Sequence, residues 1–354
     1  MKVDYIIVGL GLAGLAFAEE LIRANNSFVV FEDNSQTSSL VAGGVYNPVI
    51  LKRFTPVWNA KSQLDIALPF YKSLEQKLAI RLDYQFPIRK VFKSIEDQNN
   101  WFIASDKPVL AEFMNPEIIH EAIYGIKGDH GSGEVFGTGR IDTLALVNAY
   151  REYLKSFECI QFEKFEHEKI VFSKNGGIRY KSIEARKIVF CEGYGIKQNP
   201  FFNELPLQEA KGELLIIHVP KLNVDFLVKS TLFILPLGDD LYKVGATFNW
   251  KDKTSTPSEE GRKELIEKLE KVLSLPYTII SQSAGIRPAV KDRRPLVGVH
   301  PEHKELLILN GLGTRGVMIS PSMAHELYQH AEFGKELDKE ININRFNKKP
   351  HSSK

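Results

Sequence analysis

Gly9-x-Gly11-x-x-Gly14 is the feature that most narrows what this 354-residue chain can fold into. It directly follows a short apolar run, Asp4-Tyr-Ile-Ile-Val8, and directly precedes a segment from Leu12 to Ala24. In that segment Leu12, Leu15, Ala16, Ala18 and Ile22 fall at mostly helical spacing. Ser27-Phe-Val-Val-Phe-Glu32 then reads as a second strand ending on an acid. Strand, glycine turn, helix and strand are the opening of a parallel βαβ unit. Gly9 permits the tight turn, Gly11 lets the backbone approach a pyrophosphate, and Gly14 allows the helix to pack closely on the strand. Leu12 and Ala13 open the helix, whose free N–H groups and positive dipole end favour a phosphate. Glu32, with Asp33 beside it, is placed to accept hydrogen bonds from ribose hydroxyls, and an acid there disfavours the 2′-phosphate of NADP. A glycine-rich turn in a buried core is the bland alternative; the strand before, helix after and acid at the expected interval favour a dinucleotide site.

Further along, Lys187-Ile-Val-Phe-Cys191 followed by Gly193, and Glu305-Leu-Leu-Ile-Leu-Asn310, read as two more buried strands. Between Glu213 and Trp250 the alternation looks antiparallel, with turns at Val219-Pro220 and Gly238-Asp239-Asp240. Helices are expected around Ala60 to Leu78, from Ile141 to Leu154, and after Thr256-Pro257-Ser258-Glu259, whose residues form a capping-box arrangement with proline at the first position. Glu96-Asp-Gln-Asn-Asn100 reads as a polar turn. Parallel-sheet segments therefore recur at the start, middle and end, with antiparallel segments between. The expected fold class is α/β: a discontinuous Rossmann-type dinucleotide-binding domain (1–50, 135–195 and 280–340) and an antiparallel-sheet α+β substrate domain (51–134 and 196–279). Residues 341–354 are expected to form a flexible tail.

Composition sets limits on partners. Lys plus Arg is 46 against Asp plus Glu at 44, a net charge of +2 that argues against a chain built to bind polyanions. Two cysteines, Cys159 and Cys191, cannot make a disulfide framework or a four-cysteine zinc site, and the histidines lack ligand spacing, so no metal is expected. The apolar N-terminal stretch is too short to span a bilayer and flows into a helical pattern, so a cytoplasmic, membrane-free protein is expected.

Several segments resemble the D-amino-acid oxidase superfamily of FAD enzymes, glycine oxidase-like members in particular. They are Ser38-Ser39-x-x-Ala42-Gly43-Gly44-Val45-Tyr46-Asn47-Pro48, Phe233-Ile-Leu-Pro236 with Gly245-Ala-Thr247, Gly285-Ile-Arg287-Pro288 with Asp292 and Pro295, and Gly311-Leu-Gly-Thr-Arg-Gly316-Val-Met-Ile-Ser-Pro321. The last also resembles the oxidase half of the bifunctional enzyme that modifies the wobble uridine of tRNA. The resemblance implies an amine or amino-acid oxidase or dehydrogenase that breaks a C–H bond beside nitrogen by hydride transfer to flavin N5. Arg287 would hold the substrate carboxylate in bidentate fashion. Ala42, Gly43 and Gly44 would let backbone lie against the isoalloxazine ring, and Ser38 and Ser39 would cap a helix or bind phosphate oxygens. The run Gly311, Leu312, Gly313, Thr314, Arg315, Gly316, Val317 and Met318 would bring N–H groups and a helix N-terminus to the flavin's pyrimidine end, where reduction places negative charge. Arg315 is read equally as a second anion contact or a structural pin, and Tyr46 as a substrate contact or a packing residue.

Members that attach flavin covalently use a Cys near the final segment or a His near the early glycine run; neither residue occurs there, so non-covalent FAD is expected. Cys191 is read as a small buried hydrophobe beside the cofactor. Phe233 stands where related oxidases often carry a carboxylate-binding tyrosine, which speaks against glycine as substrate and allows a larger secondary amine. Two other readings stay open: oxidation of a carboxymethylaminomethyl-type group on tRNA, a minority reading, and a non-catalytic dinucleotide-binding protein.

Overall fold

The computed structural model describes residues 1–174 and 176–347. Two sheets dominate it. In the first, strands Ile160–Gln161, Phe28–Phe31, Lys2–Val8, Ile183–Phe190 and Leu306–Asn310 lie side by side and parallel. Leu296–Val299 pairs antiparallel with Leu306–Asn310, and a hairpin of Ile170–Phe172 and Ile178–Tyr180 pairs antiparallel with the start of Ile183–Phe190. Parallel strands are covered on both faces, which is why these segments read as unbroken apolar runs. Tyr5 and Ile7 join the core beneath helices Leu12–Arg23 and Gly316–Phe333; Ile6 and Val8 join the opposite core with Phe165, Phe190 and Leu306.

The second sheet has seven strands in the order Thr278–Val290, Leu207–His218, Leu241–Gly245, Phe233–Gly238, Leu227–Lys229, Ile88–Val91 and Ser132–Val135. All neighbours are antiparallel except Leu227–Lys229 with Ile88–Val91. Alternation divides its faces. Leu215, Ile217, Ile234 and Val244 pack with Leu265 and Leu269 of the helix Glu259–Glu270. Gly212, Leu214, Phe233, Gly245 and Arg287 point to the other side and line a cavity. A small sheet of Val45–Tyr46, Gly139–Ile141 and Asp83–Gln85 lies between these segments in sequence and anchors the early glycine run.

The structure departs from the sequence-based expectation in four places. The strand Thr278–Val290 runs across the boundary expected at 280 and pairs with Leu207–His218 up to Val290, so Arg287 is carried by the antiparallel sheet. Residues 95–105 form a helix, not a turn: the Ser94 hydroxyl accepts from the Asp97 N–H, Glu96 and Asp97 favour the helix's positive end, and Trp101 supplies the buried anchor. Ser258, not Thr256, caps the helix Glu259–Glu270, accepting from the Gly261 N–H, so Pro257 lies before the cap. The segment expected to be loose from 341 is packed through residue 347. Ile341 and Ile343 are buried, and the Arg345 guanidinium donates to Asp292 at 2.8 Å. The remainder of that tail, 348–354, lies outside the described residues.

Candidate active site

A cavity of about 910 Å³ lies between the C-terminal ends of the parallel strands and the open face of the antiparallel sheet. That volume is near the upper end of the roughly 300–1,000 Å³ usual for cofactor and ligand sites. Crevices at the carboxyl ends of parallel strands are where α/β sheets bind their ligands.

At one end the glycine turn is held by close backbone contacts. Gly9 has φ +93°, and a Cβ there would lie 2.7 Å from the Cys191 carbonyl oxygen. A Cβ on Gly14 would overlap the Gly9 carbonyl oxygen, so the helix can approach the strand only without one. The Glu32 carboxylate is buried and accepts from the Leu10 N–H at 2.6 Å and the Asn34 N–H at 2.7 Å, with an Arg151 nitrogen 3.6 Å away. Two backbone donors fix its orientation and leave further lone pairs for hydroxyl donors. The Ser39 hydroxyl accepts from the Leu12 N–H at 3.2 Å. Asn310 ties two walls together: its side chain donates to the Gly193 carbonyl (2.9 Å) and accepts from the Gly311 N–H (2.7 Å). Gly193 itself has φ +55°. Cys191 is buried, and burial pushes its thiol pKa up.

Most of the expected site residues meet in this cavity. Gly9, Gly11, Leu12, Ala13, Glu32, Asp33, Ser38 and Ser39 line it, as do Ala42 to Val45, Cys191, Gly193, Leu312 to Thr314, Gly316, Val317 and Arg287. The structure leaves the others behind the wall. Gly14 serves the helix–strand contact, and Gly311 packs against Val290 and Leu296 with φ +71°. Met318, in the first turn of the final helix, is buried in the core. Tyr46 is buried and its hydroxyl donates to Asp83 at 2.8 Å, because strand alternation turns it away from the side that Val45 faces. Arg315 precedes the helix Gly316–Phe333 outside the lining; burial first, then Arg293 and Arg294, lower its pKa. Ser38 and Ser39 lie inside the short helix Ser38–Val41, whose cap position is Thr37, so neither is the cap expected.

Arg287 dominates the other end. Its guanidinium lies over Gly212, where any Cβ would overlap it, and stacks 4.2 Å from the Phe248 ring centre. It donates to the Thr247 carbonyl at 3.2 Å and forms no ion pair among the described residues. Burial alone lowers its pKa to about 10. A desolvated guanidinium facing a cavity with one weak acceptor has most of its five donors available for an anion. Gly43 lies against Phe233 in the cavity lining, where a Cβ would stand 3.6 Å from the ring tip. The Lys243 ammonium donates to the Ala42 carbonyl at 3.1 Å, and burial lowers its pKa. It therefore clamps the glycine run from behind.

Sequence reading missed Gly212, Phe248, Lys243, Arg151 and Asn310. Gly212 carries a weak signal, a glycine within an apolar alternation, which marks a close approach. The others sit at positions that no local pattern distinguishes.

The cavity thus presents a glycine turn with a buried acid at one end and the desolvated Arg287 guanidinium at the other. The Cβ-free cradle, the buried Glu32 and the paths of the two sheets fit an FAD-sized group. Among the described residues no group of three or more His, Cys, Asp or Glu could hold a metal ion, and no helix is long and apolar enough to cross a membrane. Residues 4–330 match the family described as FAD dependent oxidoreductase, of D-amino-acid oxidase type. Glycine oxidase of Bacillus subtilis is 25% identical over 353 residues, covering 91% of each chain. A bifunctional protein of tRNA 5-methylaminomethyl-2-thiouridine biosynthesis from Campylobacter jejuni is 24% identical over 304 residues, covering 82% of this chain and 45% of that longer one. The crystal structure of glycine oxidase from Geobacillus kaustophilus superposes with a TM-score of 0.79 at 19% identity, covering 96% of this chain and 97% of the other.

Proposed function

Because the chain belongs to the D-amino-acid oxidase family of FAD-dependent oxidoreductases, we propose that it oxidises the C–N bond of an amino acid or secondary amine whose carboxylate is held by Arg287. The observation that carries this reading is the Arg287 guanidinium itself: desolvated, cavity-facing, without an acidic partner among the described residues, and set over a glycine that leaves it room. A guanidinium binds a carboxylate in a plane and at a fixed distance, so it also fixes where the α-carbon lies. When bound, FAD supplies the two-electron acceptor for the α C–H. The chain's own residues bind and orient. Leu214, Phe233 and Gly245 form an apolar floor that excludes water, and Gly43, held through Ala42 by Lys243, adjoins it at Phe233. The amine must be neutral to react, and no protein acid is required for that step. The imine product hydrolyses in water.

Phe233 offers no hydroxyl to the carboxylate, which leaves Arg287 as its main contact and favours an N-substituted amine over glycine. We also infer that FAD is held without a covalent bond. The nearest thiol, Cys191, is buried, and its raised pKa keeps it protonated and a poor nucleophile. The glycine oxidase match extends over more of both chains than the tRNA-modification match, which favours a small-molecule substrate.

The test is anaerobic mixing of the flavin-loaded protein with glycine, D-amino acids and N-alkylglycines while the flavin absorbance is followed. Bleaching by at least one N-substituted amino acid is expected; bleaching by none would refute the reading. Acid precipitation should leave the flavin in the supernatant, and yellow pelleted protein would overturn the non-covalent assignment.

A further inference from the structure

Lys229 lines the same cavity as Arg287 and lies on the same face of the same sheet. Leu214 pairs with Gly245, Gly245 with Phe233, and Phe233 with Lys229, so these side chains form one row across four strands. Gly212, two residues from Leu214, pairs with Gly285, two residues from Arg287. The floor of the cavity is thus small and apolar with a cation at each side. Four strand spacings of about 4.8 Å and a four-residue offset along the strand, at about 3.4 Å per residue, put the two backbones roughly 23 Å apart, and both long side chains shorten that gap, the Arg287 guanidinium by reaching back over Gly212.

Charge along the cavity is unequal. Its carboxylates, Glu32, Asp33, Glu163 and Glu192, stand at the ends of the parallel strands. The sheet floor contributes Arg287 and Lys229, and no acid among the described residues. Around Lys229, Lys90 lies 3.7 Å from Asp97 and Lys268 is bonded to Glu264. Lys229 itself forms no hydrogen bond or ion pair among the described residues. Burial first, then Lys90, Lys93 and Lys268, lower its pKa to about 8. An ammonium held in a cavity beside other cations, with no acid against it among the described residues, lacks a counter-charge from the protein that an entering anion can supply.

We propose that Lys229 forms a second anion subsite, so that the amine this enzyme takes carries a distal carboxylate or phosphate on its nitrogen substituent as well as the carboxylate held by Arg287. The inference rests on the function proposed above and names its substrate class. The amine nitrogen lies between the two anions over Phe233 and Gly245, where Phe233 leaves room that a hydrogen-bonding tyrosine would claim for the first carboxylate.

The experiment uses the flavin-loaded protein and two sets of probes with matched tethers: N-(carboxyalkyl)-, N-(phosphonoalkyl)- and N-alkylglycines, and their thioether analogues, in which sulfur replaces the amine nitrogen. Affinity of the unreactive thioethers is read from the perturbed flavin spectrum, and the amines give KM and kcat separately. A distal anion should strengthen thioether binding and lower KM by tenfold or more relative to the alkyl tail. K229M should shrink that ratio to less than threefold, and K229R should keep most of it. The larger of the carboxylate and phosphonate gains identifies the distal group. Equal binding of charged and neutral tails, or a gain that survives in K229M, overturns the proposal. If no amine reduces the flavin, the proposed reaction fails, while the thioether titration still decides the subsite.

Discussion

Gly212→Ala is a change of one methyl group that separates the fold from the site. Gly212 does not have a positive φ, so alanine meets no backbone strain there. Its Cβ would overlap three atoms of the Arg287 guanidinium. That group is the end of a flexible side chain, so the clash is relieved by moving the guanidinium and not by unfolding the sheet. Replacing glycine by alanine where the conformation permits stabilises by about 0.4–1 kcal/mol through the unfolded chain. Displacing the guanidinium from its place over the floor removes hydrogen bonds to a charged carboxylate, worth about 1.5–3 kcal/mol. At about 1.4 kcal/mol per tenfold, apparent affinity for a carboxylate substrate should fall roughly ten- to hundredfold while Tm stays level or rises. Thermal unfolding of the flavin-loaded protein and substrate-dependent anaerobic flavin reduction give the two readings. Unchanged affinity would mean that the guanidinium is not the carboxylate's partner, and a large fall in Tm would mean that the guanidinium could not move aside.

Further outcomes follow from the same geometry. Gly14→Ala sets a Cβ against the backbone oxygen of Gly9, which no side-chain motion relieves; Tm and flavin content of the purified protein should fall together, and full flavin occupancy would contradict the close-packing account. Ser94→Ala removes the hydroxyl that caps the helix Ile95–Ser105, and should cost about 1 kcal/mol in denaturant unfolding with substrate kinetics unaltered. Lys229 has a pKa near 8 in the fold against 10.5 outside it, with Lys90, Lys93 and Lys268 facing it. Below pH 8 it is protonated in both states and folding bears the full penalty; as pH rises from about 8 to 10.5 the unfolded chain binds more protons, so stability rises. Wild-type protein should therefore gain on K229M across that window, and parallel stability curves would show that the ammonium is solvated.

The dinucleotide half was legible because its strands are buried on both faces and its turn depends on glycine, so local residue types carry the geometry. Glu32 could be read from spacing alone. Arg287 was legible through the Arg-Pro segment, but its surroundings were not: Gly212, Thr247 and Phe248 meet it through strand pairing at separations that leave no local pattern. Tyr46 was drawn toward the site by its neighbours, yet alternation along Val45–Tyr46 sends it to Asp83. The helix Ile95–Ser105 was hidden because its apolar residues mark no single face: Ile95, Phe102 and Ile103 are exposed, while Trp101 and Ala104 are buried. Lys229 escaped notice because a cation without a partner among the described residues is defined by what does not surround it, and that appears only when seven strands are assembled.

The most direct test of the account compares an N-alkylglycine with its methyl ester in anaerobic flavin reduction, in wild type and in Arg287→Met. The ester removes the charge that Arg287 is assigned to hold and leaves the reacting C–N bond in place. Wild-type protein should reduce its flavin with the acid at far lower concentration than with the ester, by tenfold or more, and Arg287→Met should lose that preference. Equal use of acid and ester by the wild type, or a preference that persists in the variant, would contradict it.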